Sequence, residues 1–365
     1  MNKIIFISHY SELYGANRSL LSLIKCIKKE NKYVPLVLLP ENGTIEEELN
    51  KEGIKYYVYK YWPWVDKSFK PITIMKKLSR NLVTCYKLKN IVSESCLIYS
   101  NSSVVFIGFL LSFFYKKKHI WHIREFLDID YGLNFDLGKI ISKNIIKTAN
   151  NTICISKSIS TYFELNNNKN NHVIYNGIET SKRMVLKKDS DSFVFLIIGL
   201  ITENKGQLEA VEAMKSVVQK WPNTKLNIVG KGDTLKLEKA IDRLNLNDKI
   251  NLVGETLCPN EEYDKCDAVL MCSKYEGLGR VTIEAMANRR PVIGYNSTGT
   301  RELILHGING YLYNNTEELS KYMEILIENP IMCTELGKNG EKVFIEKFTV
   351  QKYCEQIGNV IKQMI

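Results

Sequence analysis

The stretch AVLMCSKYEGLGRVTIEAMANRRPVIGYN, residues 268–296, reads as a strand, a tight glycine-broken loop, a helix and a second strand. AVLMCS and RPVIGYN are short apolar runs of buried-strand length, and RVTIEAMAN between them has helical spacing. A strand, a helix and another strand in this order make parallel pairing with a covering helix, and ligands then bind at the loops after the strands. Glu276 and Glu284 stand on either side of that loop. Gly277 and Gly279 remove side chains from it, so backbone N–H groups at the helix start can reach an anion. A carboxylate accepts two hydrogen bonds from a vicinal diol. Taken singly, Glu276 fits a solvated turn, and Glu284 fits an acid stabilising the positive end of a helix. Taken with both glycines, they fit a ligand with two sugars and a diphosphate between them.

The same alternation extends in both directions. FVFLIIG, KLNIVGKG and KINLVGE are strand candidates before the stretch, separated by the helical GQLEAVEAMKSVVQKW and TLKLEKAIDRLN. Nearer the N-terminus lie KIIFIS, YVPLVLL, IKYYVY, CLIYSN, HIWHIRE and NTICIS, with helical LLSLIKCIKK and LGKIISKNIIKTA. A chain of 365 residues is too long for one ordinary core. Two strand–helix series predict an α/β protein of two facing Rossmann-like domains with a deep interdomain cleft. The expected divisions are residues 1–175, residues 176–345, and a terminal amphipathic helix within 346–365 that packs back on the first domain. The polar stretch 166–184 is the expected linker, crossing near Asn176-Gly177.

Residues 1–175 carry 25 Lys+Arg against 14 Asp+Glu, whereas residues 176–365 carry 25 against 26. The first half therefore holds all the excess positive charge. A lysine-rich solvated face explains it, as would an anionic membrane surface, an anionic acceptor or nucleic acid. The aromatics of YYVYKYWPW (56–64) interleave with lysine but read as a strand and loop, so nucleic acid is not expected as a partner. Nine cysteines show no CxxC pair or metal-like spacing, and Cys96, Cys154, Cys266 and Cys272 fall in apolar runs. They read as small core residues of a reducing compartment, which predicts a cytoplasmic protein without a bound metal. KIIFIS reads as a strand rather than a signal peptide. VVFIGFLLSFF (104–114) is too short to span a bilayer and reads as a buried helix. Lys116–Lys118 directly after it leave peripheral contact with the inner face of the plasma membrane open.

Three further loops carry polar groups. In ISHYSELYGANRSLLSL, Gly15 precedes a helix starting near Asn17 and Arg18, and the absence of GxGxxG sets aside an NAD fingerprint. In HIWHIREFLDID, His122, Arg124 and Glu125 end a strand, either as a local ion pair or as ligand contacts. In IIGLITENKGQ, Lys205 sits just before Gly206 at a helix start, fitting an exposed cap or a phosphate contact.

With these residues in place, the chain resembles the retaining GT-B glycosyltransferases of family 4. KYEGLGRVTIEAMANRRPVIGYNSTGTRELI is similar to their E-x7-E donor segment, IIGLITENKGQ to G-R-L-x-x-x-K-G, IVGKGD to the second-strand G-x-G, and YNGIE to N-G-[IV]-[DE]. YGANRSL and WHIRE resemble the glycine-rich loop and the H-x-R-E segment. The resemblance implies transfer of a sugar from a UDP- or GDP-sugar to a saccharide acceptor with retention, with no cofactor or metal expected. Glu284 would bind the donor ribose and Glu276 the transferred sugar, with the backbone at Gly277, Leu278 and Gly279 on sugar and phosphate. Lys205 would neutralise the diphosphate, His122 would contact the sugar near the reacting carbon, and Gly15 would let its loop close over the phosphates. His122, Glu276 and Lys205 are the catalytic candidates, and Asn17, Arg18 and Arg124 the acceptor candidates. The basic first half would suit a polyprenyl-diphosphate-linked acceptor and polysaccharide or capsule assembly.

Three positions depart from the family pattern. Leu200 replaces the arginine of the G-R-L loop, Arg289 replaces a glycine before PVI, and Thr298-Gly299-Thr300 splits a GG pair. Arg280, at the start of the anion-binding helix, is the candidate for the charge missing at Leu200. A GT-B-fold UDP-sugar epimerase or hydrolase shares the architecture, and a non-catalytic basic binding protein or sugar-nucleotide sensor is the alternative outside enzymes.

Overall fold

The computed structural model describes residues 2–179, 192–256 and 258–365. The chain divides into two compact units, residues 1–177 with 350–365, and residues 178–349. The end of the expected linker, residues 180–184, lies outside the described residues.

The first unit is built on a seven-stranded sheet ordered Lys55–Val58, Tyr33–Leu39, Asn2–Ile7, Ser95–Ser100, Lys118–Ile123, Asn151–Cys154, Asn171–Val173. Every neighbouring pair is parallel. Covering helices bury both faces of such a sheet, which is why Ile4, Ile5, Phe6 and Ile7 form a continuous apolar run without alternation. Strand order reverses at the first strand, so the loops after Asn2–Ile7 and Ser95–Ser100 part at the switch point. Helix Gly15–Glu30 buries Leu20, Leu23, Ile24 and Ile27 on one side. Against it lies helix Val350–Met364, whose Tyr353, Ile357, Val360 and Ile361 join the same core cluster. A disulfide between Cys26 and Cys354, with Cα atoms 6.3 Å apart, ties the two helices together. The expectation of core cysteines holds for Cys154, Cys266 and Cys272, which are buried and form no disulfide, whereas Cys96 is half-buried with its Sγ 3.3 Å from the Lys3 carbonyl. It does not hold for this pair, whose members lie 328 residues apart and become neighbours only through the tertiary fold.

The aromatic run 56–64 is largely structural. Tyr61 and Trp64 are buried, with Trp64 stacked on Phe106 at 4.5 Å and donating to the Ser103 carbonyl at 2.8 Å. The run 104–114 forms helix Phe106–Tyr115, buried at Ile107, Leu110 and Leu111 and exposed at Phe113 and Phe114. Among the described residues no helix is long and apolar enough to cross a membrane.

The second unit repeats the pattern with a six-stranded sheet ordered Ile250–Gly254, Thr224–Val229, Phe193–Ile198, Ala268–Met271, Val292–Tyr295, Gly310–Tyr313. All its pairs are parallel as well. Its order reverses at Phe193–Ile198, which places the switch point between that strand and Ala268–Met271. Two doubly wound halves make this an α/β protein with two Rossmann-like units.

Candidate active site

In the second unit the strands flanking the switch point send their loops apart and leave a crevice at their carboxyl ends. Lys205 ends the one-turn helix Glu203–Lys205 on the first loop, and Glu276 lies on the second. The two side chains form an ion pair across the crevice. Gly206 makes the approach possible: its φ is +72°, and a Cβ there would sit 2.3 Å from the Cys272 carbonyl oxygen.

Glu276 is held by its backbone as well as its side chain. Its N–H donates to the Thr298 hydroxyl at 2.9 Å, and its carbonyl accepts from the Gly299 N–H at 3.0 Å. Thr298 has φ +40°, a left-handed conformation that a β-branched residue rarely adopts. Thr298-Gly299, the split pair of the sequence, is thus a clamp on the loop carrying Glu276.

Helix Arg280–Ala287 starts from Gly279, whose φ is +87°. The hydroxyls of Thr282 and Thr300 lie 3.5 and 3.7 Å from the point a Cβ on Gly279 would occupy. Both are fully buried and neither has a hydrogen-bond partner. Buried hydroxyls left unpaired cost about 1–3 kcal/mol each, so this turn presents two groups that a polar ligand would satisfy. One turn further, Glu284 is gripped on both oxygens: Arg280 Nε donates to Oε1 at 2.8 Å and the Tyr263 hydroxyl donates to Oε2 at 2.9 Å. Tyr263 is fully buried, and burial followed by the Glu284 charge raises its pKa far above the ordinary phenol value. Arg289 has φ +56°, so it occupies the left-handed turn that glycine would fill more readily, and it pairs with Glu341 at 2.7 Å. Leu200 is exposed.

The first-unit candidates lie around the switch point of the other sheet. Asn17 is fully buried and stitches the loop to the helix, donating to the Tyr10 and Glu12 carbonyls at 2.9 and 2.8 Å. Gly15 and Arg18 are exposed at the start of that helix, and Arg18 Nε donates to the Leu13 carbonyl at 3.1 Å. Arg124 is buried and spends its guanidinium inside the unit. It donates to Asn101 Oδ1 at 2.8 Å, to Asn176 Oδ1 at 2.7 Å and to the Tyr353 hydroxyl at 3.0 Å. His122 is fully buried, its Nδ1 2.5 Å from the Tyr99 hydroxyl and its Nε2 without a partner. Burial first, then the nearby Arg124 charge, holds it well below the usual histidine range and hence neutral. His9, after the first strand, is half-buried with its Nδ1 enclosed and unpartnered, and loss of solvent followed by the Arg124 charge lowers it to about 3. Glu125 faces Ser102 and Ser103 rather than Arg124, accepting from the Ser102 hydroxyl at 2.6 Å. Among the described residues no group of three or more His, Cys, Asp or Glu is assembled as a metal would require.

The structure therefore gathers Lys205, Glu276–Arg280 and Glu284 in one crevice, and places Gly15, Asn17, Arg18, His122 and Arg124 in the other unit. No local pattern points to Tyr263, which reaches Glu284 from another segment. Thr298 and Thr300 were visible only as a departure from a glycine pattern, and Thr282 carried no signal.

Residues 178–343 match the family model of Glycosyl transferases group 1. An uncharacterized glycosyltransferase of Methanocaldococcus jannaschii is 27% identical over 359 residues, covering 91% of this chain and 97% of its own. The capsular polysaccharide biosynthesis glycosyltransferase CapM of Staphylococcus aureus is 28% identical over 233 residues, 61% of this chain and 58% of its own. The crystal structure of Anabaena HepE in complex with UDP matches with a TM-score of 0.82 at 22% identity, covering 99% of this chain and 100% of that one. HepE has also been crystallised with UDP-glucose, at a TM-score of 0.80. The fold is GT-B, and the family match with these relatives supports a GT-B glycosyltransferase.

Proposed function

We propose that this chain is a retaining family 4 glycosyltransferase that moves a sugar from a UDP- or GDP-sugar to a saccharide acceptor, carried on a polyprenyl diphosphate, in polysaccharide or capsule assembly on the cytoplasmic side of the membrane. The observation that carries the reading is the crevice of the second unit. A cation and a carboxylate meet there beside a helix start lined by two unpartnered hydroxyls. Glu284, oriented by Tyr263 and Arg280, takes the ribose diol; the Gly279 turn takes the diphosphate; Glu276 takes the transferred sugar. Lys205 turns from Glu276 to the diphosphate and, with the helix start, stabilises the charge that develops on the leaving group. Arg280, its Nε on Glu284, offers the remaining N–H groups in place of the arginine absent at Leu200. This set of charges calls for no metal or cofactor. The departing phosphate oxygen takes the proton of the acceptor hydroxyl as the new bond forms on the same face. In the first unit, His122 supplies the sugar contact through Nε2, Gly15 lets its loop approach the phosphates, and Arg18 serves the acceptor, while buried Asn17 and Arg124 hold their surroundings in place. CapM, by its capsular role, and HepE, by its UDP complexes, support the choice of setting and donor.

A thermal-shift panel of UDP, GDP and their sugars tests the reading. A ligand at a hundredfold excess over Kd stabilises the folded chain by about 2.7 kcal/mol. Stabilisation by one nucleotide series is expected, and no shift with any of them overturns it.

A further inference from the structure

Helix Pro71–Lys87 in the first unit is turned inside out. A surface helix of a globular protein normally packs its apolar stripe inward and shows its polar side to water. Here the side facing the unit is the one carrying Asn81, Thr84 and Cys85. Asn81 exchanges hydrogen bonds with both backbone groups of Trp62, at 2.9 Å each, and Thr84 donates to the Lys60 carbonyl at 2.8 Å. The outward side carries Ile72, Met75, Val83 and Tyr86, exposed by 71, 72, 56 and 77%. Leu78 and Leu82, at 40% each, complete a stripe at helical spacing. The Tyr115 hydroxyl donates to the Cys85 carbonyl at 2.9 Å, which brings the exposed Phe113 and Phe114 near the last turns of this helix.

The charge beside the stripe is all of one sign. Residues 67–93 hold seven Lys and Arg and neither Asp nor Glu, and of these only Lys77 turns inward, to Asp66 and Asp136. Lys76, Arg80 and Lys87 are exposed along the flank of the stripe. The basic run at Lys116–Lys118 is less available, because Lys117 donates to the Ser93 and Ser95 carbonyls and Lys118 to that of Met364. An apolar stripe flanked by cations is the composition of a helix lying in the headgroup region of an anionic membrane. A second copy of the chain meeting this face across a two-fold axis would bring like charges together.

We propose that this face seats the first unit on an anionic lipid bilayer; the proposal rests on the reading above of an acceptor borne by a membrane. It places the apolar stripe at the boundary between headgroups and acyl chains and the lysine flank over acidic headgroups.

The test is flotation of the whole chain with vesicles of mixed phosphatidylglycerol and phosphatidylcholine, without donor or acceptor, beside vesicles of phosphatidylcholine alone. Binding to the acidic vesicles that weakens with salt is expected. The pair Ile72→Ser and Val83→Ser should abolish it. The triple change Lys76→Gln, Arg80→Gln, Lys87→Gln should weaken it on the order of a hundredfold, at the usual contribution per basic residue near an anionic surface. Both variants should keep the wild-type circular dichroism and melting temperature. No binding to acidic vesicles, equal binding to neutral ones, or folded variants that bind like wild type would each overturn the proposal. So would a dimer in light scattering that Ile72→Ser and Val83→Ser dissociate. Vesicle binding with no stabilisation by any nucleotide would leave the docking face standing and remove the donor reading instead.

Discussion

Lys205 and Glu276 pair across the crevice of the second unit, although 71 residues separate them. The pairing joins a phosphate-type cation to a sugar-type carboxylate. The cation is therefore already held where a diphosphate and a sugar would meet, and donor binding exchanges one anionic partner for another. Lys205→Met should lower kcat/KM by about a hundredfold to a thousandfold, the usual loss when one donor to a developing negative charge is removed. Glu276→Gln should lower it comparably while leaving UDP affinity nearly unchanged. Steady-state UDP release with calorimetric UDP titration separates the two effects, and equal losses of UDP affinity would contradict the assignment.

Tyr263→Phe should loosen Glu284, because only Arg280 would then orient the carboxylate. A loss of up to about 1.5–3 kcal/mol in UDP binding is expected, the worth of one hydrogen bond to a charged group. Arg280→Ala should cost a few kcal/mol in transition-state stabilisation if it serves the diphosphate. Unchanged kcat/KM in Arg280→Ala would reduce that arginine to a support for Glu284.

Thr298 is a positioning residue, and its hydroxyl can be tested apart from its backbone. Thr298→Ser keeps the acceptor for the Glu276 N–H and should behave like wild type. Thr298→Val keeps the branch but leaves that N–H unpaired, and should raise the donor KM about tenfold, the equivalent of about 1.4 kcal/mol. Matching kinetics for the Val and Ser variants would show that the hydroxyl does not position Glu276.

Stability should fall in acid because of neutral histidines shielded from water. Burial lowers His9 and His119 from 6.5 to about 3. Between those values the unfolded chain binds a proton at each position and the folded chain does not. Their contribution is complete above pH 6.5 and is lost as the pH falls toward 3, at about 1.4 kcal/mol per pH unit for each histidine. Urea unfolding at pH 7.5 and 5.5 measures the slope. His119→Gln should reduce it by one histidine's share, and an unchanged slope would exclude His119 as a source.

Reduction should weaken the first unit. The Cys26–Cys354 bond closes a very long loop, and its loss should cost about 2–4 kcal/mol. Melting with and without a dithiol should show the drop in wild type and none in Cys26→Ser.

Much of this was legible in the sequence, for physical reasons. Short apolar runs at regular intervals gave nearly every strand, because fully covered parallel strands need no alternation. Gly279, Arg280 and Glu284 declared a helix start with its anion-facing turn, since those features are local. Contacts made by the tertiary fold left no local trace. Tyr263 meets Glu284, Cys354 meets Cys26, and Arg124 meets Tyr353 only after distant elements have packed. The outward stripe of helix Pro71–Lys87 was equally hidden, because amphipathic periodicity does not say which side faces the core. The strands Asn171–Val173 and Gly310–Tyr313, three and four residues long, were too short to register against their polar surroundings.

Arg124 also constrains the order in which this protein can be made. Its partners Asn101 and Asn176 are translated before the second unit, but Tyr353 is translated after it. Until residues 350–365 leave the ribosome, the first unit has an open apolar flank and a guanidinium lacking one of its acceptors. The second unit, continuous in sequence, can finish folding first. The N-terminal half of the gene product therefore cannot become native before its last residues are made.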